Sequence, residues 1–178
     1  MRNRMLEFYE NSIRDSLTGL LNRRGAMDVI NKSLARGTGK SATLLIDIDN
    51  LKMINDLRGH IAGDAVIVRT ADAIRQSLRE GDACARLGGD EFIVFAPNCN
   101  FDGAKTIAQD IITRLSRQEM PLAGISFGVS IGIAVHEGPD TDFNQMYREA
   151  DAALYEARAE GKSRIGRYVA PVPEAMTV

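Results

Sequence analysis

The chain has no tryptophan, and aromatic residues make up only 6% of its 178 positions. A platform that stacks single-stranded bases needs aromatic side chains, so that class is excluded. Charge of either sign is also lacking as an excess. Twenty-two Lys and Arg stand against 24 Asp and Glu, a net charge of −2. No basic stripe offers itself to nucleic acid. Long apolar runs are missing as well. The longest, Ile125 to Val135, falls far short of the roughly 20 residues a membrane-spanning helix needs, so no membrane association is expected of this chain. The N-terminus lacks the apolar core of a secretory signal. Cysteine is scarce: Cys84 and Cys99 show no metal-ligand spacing, and each sits in or beside an apolar strand. They read as reduced structural residues of a cytoplasmic protein. There is no internal repeat and no low-complexity segment.

What is present suits one domain with a real core, since 44% of residues are hydrophobic. Residues 1–14 read as a polar lead helix or linker, with Met1, Met5 and Phe8 along one stripe. They are too short to fold alone and suit the end of a connecting helix from an upstream sensor. Helices are expected over Arg24–Ala35, Asn50–Leu57, Ile61–Arg79, Ala104–Leu115 and Phe143–Ala157, and strands over Ala42–Ile48, Ala83–Leu87, Phe92–Phe95, Ile125–Val135 and Arg164–Tyr168. From Ile125 to Val135 bulky residues alternate with Ser126, Gly128, Ser130, Gly132 and Ala134. One face of that strand is therefore small and lets another element come close. The fold class is α+β, an α/β sandwich with a mixed central sheet flanked by helices. Residues 15–169 form the domain, and 170–178, with Pro171 and Pro173, read as a disordered tail.

Three stretches carry chemistry. Gly88-Gly89-Asp90-Glu91, followed by Phe92-Ile93-Val94-Phe95, reads as a hairpin tip bearing two carboxylates on a backbone that a ligand can approach. Carboxylates there suit Mg²⁺, which takes one or two of them together with phosphate oxygens. The apolar strand before it ends in Ile46-Asp47-Ile48-Asp49, which places Asp47 as a metal ligand at the sheet edge. Asp49 is open between a metal role and capping the next helix, a task Asn50 could also perform. Between Lys52 and Asp64 fall Lys52, Asn55, His60 and Asp64. An amide and a carboxylate, Asn55 and Asp64, can read the edge of guanine. The bland alternative is a solvated helix followed by a capped one. Gly37-Thr38-Gly39-Lys40-Ser41 imitates a phosphate-binding P-loop, but Leu34 stands where that loop needs glycine. The segment also leads from helix to strand, not from strand to helix.

Together these pieces resemble the GGDEF family of diguanylate cyclases across about Asp15 to Tyr168. The matching segments are Asp15-Ser-Leu-Thr-Gly-Leu-Leu-Asn-Arg-Arg24, Asp47-Ile-Asp-Asn-Leu-Lys52, Asn55-Asp-Leu-Arg-Gly-His60 with Gly63-Asp64, Arg86-Leu-Gly-Gly-Asp-Glu-Phe92, Val129-Ser-Ile-Gly-Ile133 and Ala153-Leu-Tyr-Glu-Ala-Arg-Ala-Glu-Gly-Lys162. The resemblance implies a fold like the palm of nucleotidyl cyclases. It implies condensation of two GTP into cyclic di-GMP and two pyrophosphates at the interface of a transient homodimer, with two Mg²⁺ (or Mn²⁺) ions per GTP. It assigns Asp47, the Ile48 carbonyl and Asp90 to the metals, and Asp90, Glu91 and Lys52 to catalysis. Asn55, His60 and Asp64 would meet guanine, Gly88 and Gly89 the nucleotide, and Arg158 and Lys162 the phosphates. Arg79 and Asp82 match the inhibitory site that binds the product, cyclic di-GMP. There are departures. Leu51 replaces a common Phe, Arg158 and Lys162 exchange a Lys–Arg pair, and Asp110 stands where a second inhibitory-site arginine is expected. Two rival readings remain: a catalytically silent receptor for cyclic di-GMP, and a GTP-binding signalling module.

Overall fold

A computed structural model describes residues 12–37, 39–117, 127–138 and 141–169. The lead segment up to residue 11, Thr38, Ile125, Ser126 and the tail from residue 170 lie outside the described residues. The elements in order are α1 (Arg23–Ala35), β1 (Lys40–Ile48), α2 (Leu51–Arg58), α3 (His60–Ser77), β2 (Ala83–Gly88), β3 (Glu91–Pro97), α4 (Phe101–Ser116), β4 (Val129–Glu137), α5 (Phe143–Ala159) and β5 (Ile165–Arg167). The five strands form one mixed sheet in the order β2-β3-β1-β4-β5. All neighbours run antiparallel except β4 and β5. The fold is the expected α+β sandwich.

β1 is central and buried from Ser41 onward, which explains its nearly continuous apolar run. Its two faces enter two cores. Leu44, Ile46 and Ile48 join Phe92 and Val94 under α3 and α4. Leu45 joins Ile93, Phe95, Phe143 and Leu154 under α1 and α5. The period of two then puts Asp47 on the α1/α5 face, in register with Glu91 across the antiparallel pair.

The small face of β4 has the expected use. A Cβ on Gly132 would strike the Ala150 carbonyl oxygen and the Leu154 amide, and one on Gly166 would strike the Ala153 carbonyl oxygen. Helix α5 meets them with Ala150, Ala153 and Ala157. This close approach brings the C-terminal end of α5, with Arg158, to the end of β1. The strand itself begins later than expected: Phe127 and Gly128 lie outside it. Val129 faces Ile48, the last residue of β1, so no strand remains beyond to pair with.

Cys84 and Cys99 are free thiols. Burial pushes Cys84 up to about 11 and raises Cys99 as well. Neither has the thiolate character that reactivity requires. Among the described residues no helix is long and apolar enough to cross a membrane.

Candidate active site

The end of β1 and the tip of the β2–β3 hairpin meet. The Ile48 amide donates to the Asp90 carbonyl at 3.1 Å, which ties the two acidic segments together. Gly88 and Gly89 turn the hairpin with φ of +149° and +52°, conformations a side chain would strain. A pocket of about 310 Å³ opens here, lined by Asp47, Ile48, Asp49, Asn50, Leu51, Lys52, Asp90, Arg158 and Lys162. A larger cavity of about 440 Å³ lies at the other end of β1, beside Lys40, Asn100 and Arg167. It holds none of the acidic signature, so size does not mark the chemistry here.

Asp47 is 6% exposed. Burial is the main cause that pushes its carboxyl up to about 6. Asp90 and Glu91 add to the rise, and the Arg158 guanidinium opposes it. Arg158 ion-pairs with Asp47 Oδ1, yet that buried oxygen receives no well-directed hydrogen bond. Arg158 offsets only part of the cost of burying this carboxylate, since the Asp47 carboxyl stays raised. Among the described residues no three His, Cys, Asp or Glu side chains converge on one point. The donor set is therefore two carboxylates and backbone, which fits Mg²⁺ and not a dedicated protein cage.

Glu91 stands beside Asp47 in register but outside the pocket lining. Its two oxygens accept from the Tyr147 hydroxyl at 3.0 and 3.2 Å. Arg23 lies over the Tyr147 ring at 5.2 Å. Burial raises the Glu91 carboxyl, against the Tyr147 hydrogen bond and the Arg23 charge. Neither Tyr147 nor Arg23 was visible as a partner in sequence, since 56 residues or more separate them from Glu91.

Asp49 is neither a helix cap nor a carboxylate left free for metal. Asn50 occupies the N-cap of α2 with φ +64° and makes no side-chain cap bond. Asp49, 3% exposed, accepts from Ser130 Oγ at 2.8 Å, from the Ser163 amide at 2.8 Å and from Ser163 Oγ at 3.2 Å. Lys162 donates to Asn50 Oδ1. The alternation that makes Ser130 small was the only trace of this arrangement in the sequence.

Lys52 and Lys162 are exposed at the pocket rim, as is Arg158. Asn55, His60 and Asp64 do not line this pocket; they sit on α2 and α3 across the Gly59 turn. Asn55 Oδ1 is buried without a partner and packs on Gly63, where a Cβ would collide with it. His60 and Asp64 are exposed. Arg79 and Asp82 lie in the turn before β2 and bind each other. The Arg79 amide donates to Asp82 at 2.9 Å, and the guanidinium reaches it at 3.3 Å. Asp110 is exposed on α4.

The opening motif proves to be a brace. Asp15 accepts from the Thr18 amide and hydroxyl at 2.9 and 2.7 Å. Arg86 donates to both Asp15 oxygens at 3.3 Å and to the Gly89 carbonyl at 2.8 Å. Burial alone would raise the Asp15 carboxyl, but the Thr18 hydrogen bonds and the Arg86 charge hold it below the usual value.

Comparison with known proteins follows this geometry. Diguanylate cyclase DgcM of Escherichia coli K12 is 36% identical over 155 residues, 85% of this chain and 37% of that protein. The chain thus spans little more than a third of that relative. The coiled coil and GGDEF domain of DgcB from Caulobacter crescentus, solved in complex with c-di-GMP, superposes with a TM-score of 0.86 at 26% identity, covering 93% of this chain and 91% of that one. Diguanylate cyclase SiaD from Pseudomonas aeruginosa, solved in complex with its activator SiaC, gives a TM-score of 0.83 at 31% identity, over 94% and 66% of the two chains. The family described as "Diguanylate cyclase, GGDEF domain" matches residues 12–164, and the chain belongs to that family.

Proposed function

We propose that the domain joins two GTP into cyclic di-GMP with release of two pyrophosphates. The observation that carries this reading is Asp47, buried and pushed up to about 6 beside Asp90 even with Arg158 paired to it, in a pocket rimmed by Lys52, Arg158 and Lys162. Crowded carboxylates call for a divalent cation, and three cationic side chains around them call for a polyphosphate. Asp47, Asp90 and the Ile48 carbonyl would hold Mg²⁺ or Mn²⁺. When bound, the metal activates the 3′-hydroxyl and offsets charge on the leaving pyrophosphate.

The remaining work falls to the chain's own groups. Lys52, Arg158 and Lys162 bind phosphate oxygens whose charge grows in the transition state. Asp90 accepts the proton of the attacking 3′-hydroxyl. Asp64 accepts from the guanine N1–H and N2–H₂, Asn55 reads the same edge with its amide, and His60 lies beside them. Gly88 and Gly89 let the nucleotide reach the main chain. Glu91, held by Tyr147, adds negative field behind Asp47. Arg79 and Asp82 would exchange their mutual ion pair for the product, which then inhibits.

One pocket holds one nucleotide, whereas the product contains two joined symmetrically. Two domains must therefore face each other in a transient homodimer, brought together by an upstream sensor in a cytoplasmic protein. Incubation with GTP and Mg²⁺, followed by chromatography of the nucleotides, tests the reading. Cyclic di-GMP should form with a specific activity that rises with protein concentration across an about hundredfold series. Binding of cyclic di-GMP without turnover would establish the silent receptor instead. GTP binding without product would establish the signalling module. Activity flat on dilution from a strict monomer would sink the two half-sites.

A further inference from the structure

Two adjacent residues at the end of β1 grip two adjacent residues beyond α5. Asp49 holds Ser163 through its amide and its hydroxyl, and Asn50 receives the Lys162 ammonium. Asp49 is itself fixed to β4 by Ser130 at 2.8 Å, while its own amide donates to the Gly128 carbonyl at 2.9 Å. Gly128 has no side chain for a reason visible here, since a Cβ would collide with Ser163 Oγ. Ser163 adopts φ +59°, a left-handed conformation that a serine holds only when its surroundings impose it. Asp49 is 3% exposed, and among the described residues its partners are the hydrogen bonds from Ser130 and Ser163. Both carboxylate oxygens are committed to joining β4 to the turn that follows α5.

We infer that Asp49 is a positioning residue: it clamps the 160–164 turn to the sheet so that Lys162 stands over the phosphate side of the pocket. The inference rests on the proposed GTP chemistry for its consequence, though the clamp itself is independent of it. Asp49 touches neither nucleotide nor metal. It sets the position of the Lys162 main chain, and Lys162 exchanges Asn50 for phosphate when GTP enters. Asparagine at position 49 could keep the clamp by turning its amide NH₂ to the Ser130 hydroxyl, which can accept, and its oxygen to Ser163; alanine removes every acceptor and is the informative change.

The test is a double-mutant cycle on the whole chain, read as KM for GTP and kcat separately, with hydrogen exchange at the Ser163 amide alongside. Asp49→Ala should raise KM about tenfold and change kcat far less, the pattern of lost ground-state phosphate binding. In a Lys162→Ala background the same change should add nothing, because the side chain it positions is gone. The Ser163 amide should be protected in the wild type and exchange freely in the variant. KM unchanged in Asp49→Ala, or effects that multiply with Lys162→Ala, would overturn the inference. If Asp49→Ala does not fold, free exchange of the Ser163 amide in the wild type would still overturn it. Failure of the GTP reading looks different: the wild type then binds no GTP, whatever the state of the Ser163 amide.

Discussion

Asp15 and Asp47 flank the same glycine turn and have opposite electrostatics. Asp15 lies in the opening brace, where Thr18 and Arg86 satisfy both oxygens, and its carboxyl titrates below the usual value. Asp47 lies at the end of β1, where burial and the Asp90 carboxylate push it up to about 6 despite Arg158. One region spends its carboxylate on holding the hairpin in place. The other keeps a carboxylate underpartnered at a pocket. The difference teaches that one acid is held by hydrogen bonds and the other stays strained at a pocket, a distinction that residue type alone does not make.

The sharpest way to break this contrast is Asp90→Asn. It should cut turnover by about 10³-fold or more, while the melting temperature stays near that of the wild type, because Asp90 sits at a turn outside the core. Cyclic di-GMP formed at wild-type rate would remove Asp90 from the metal assignment.

Asp47→Asn should also stop turnover, but with a gain in stability. A carboxyl raised from 3.8 to about 6 is bound more tightly by its proton in the folded state. Stability is therefore greatest below the unfolded value and falls as pH rises from about 4 to about 6. Above that window the cost stands at about 3 kcal/mol. The asparagine variant escapes it. Thermal melts without metal should show the variant more stable than wild type at pH 7.5 and no more stable at pH 4. Added Mg²⁺ should raise the wild-type melting temperature and leave the variant's unmoved. Equal melting temperatures at pH 7.5 would mean that Arg158 fully satisfies Asp47.

Asp64→Ala sharpens the contrast on the guanine side. Exposed and remote from the carboxylate pair, it should weaken GTP binding about tenfold and relax discrimination against ATP, with little effect on stability. Competition assays with ATP read this directly, and an unchanged ATP inhibition constant counts against the guanine role.

Asp15→Asn should have the smallest effect, about 1 kcal/mol of stability. A depressed carboxylate contributes stability above its unfolded value and loses it as pH falls through the folded value. The gap between wild type and variant should be full at pH 7 and close in acid, below the ordinary 3.8 of the carboxyl. Turnover should fall only a few-fold, since the hairpin tip keeps its other ties. A variant as inactive as Asp90→Asn would show that the brace is part of the chemistry.

Local pattern made much of this molecule legible. The nearly continuous apolar run Ala42–Ile48 announced a strand buried on both faces. The alternation through Ser130, Gly132 and Ala134 announced a face built for close helix approach, and α5 occupies it. The Gly88-Gly89 turn and the acids after it were readable because turn geometry and metal affinity depend on residues adjacent in the chain. Where the sheet stops was less legible. Phe127 and Gly128 continue the alternation but leave the strand, because the β1 ladder ends at Ile48 and only the Asp49 amide reaches Gly128 beyond it.

What the sequence by itself determined is therefore the identity of the strands and helices, the family, and the acids grouped near the glycine turn. Each follows from short-range periodicity or from motifs at fixed spacing. Tertiary structure alone decided what each acid does. Asp47 and Asp49 are two residues apart and share a motif, yet one faces Asp90 and Arg158 and the other is spent on Ser130 and Ser163. Glu91 turns to Tyr147, and Arg86 reaches back 71 residues to Asp15. A carboxylate's role depends on its desolvation and on which donors lie within about 3 Å, and those donors come from segments that only the folded sheet brings together.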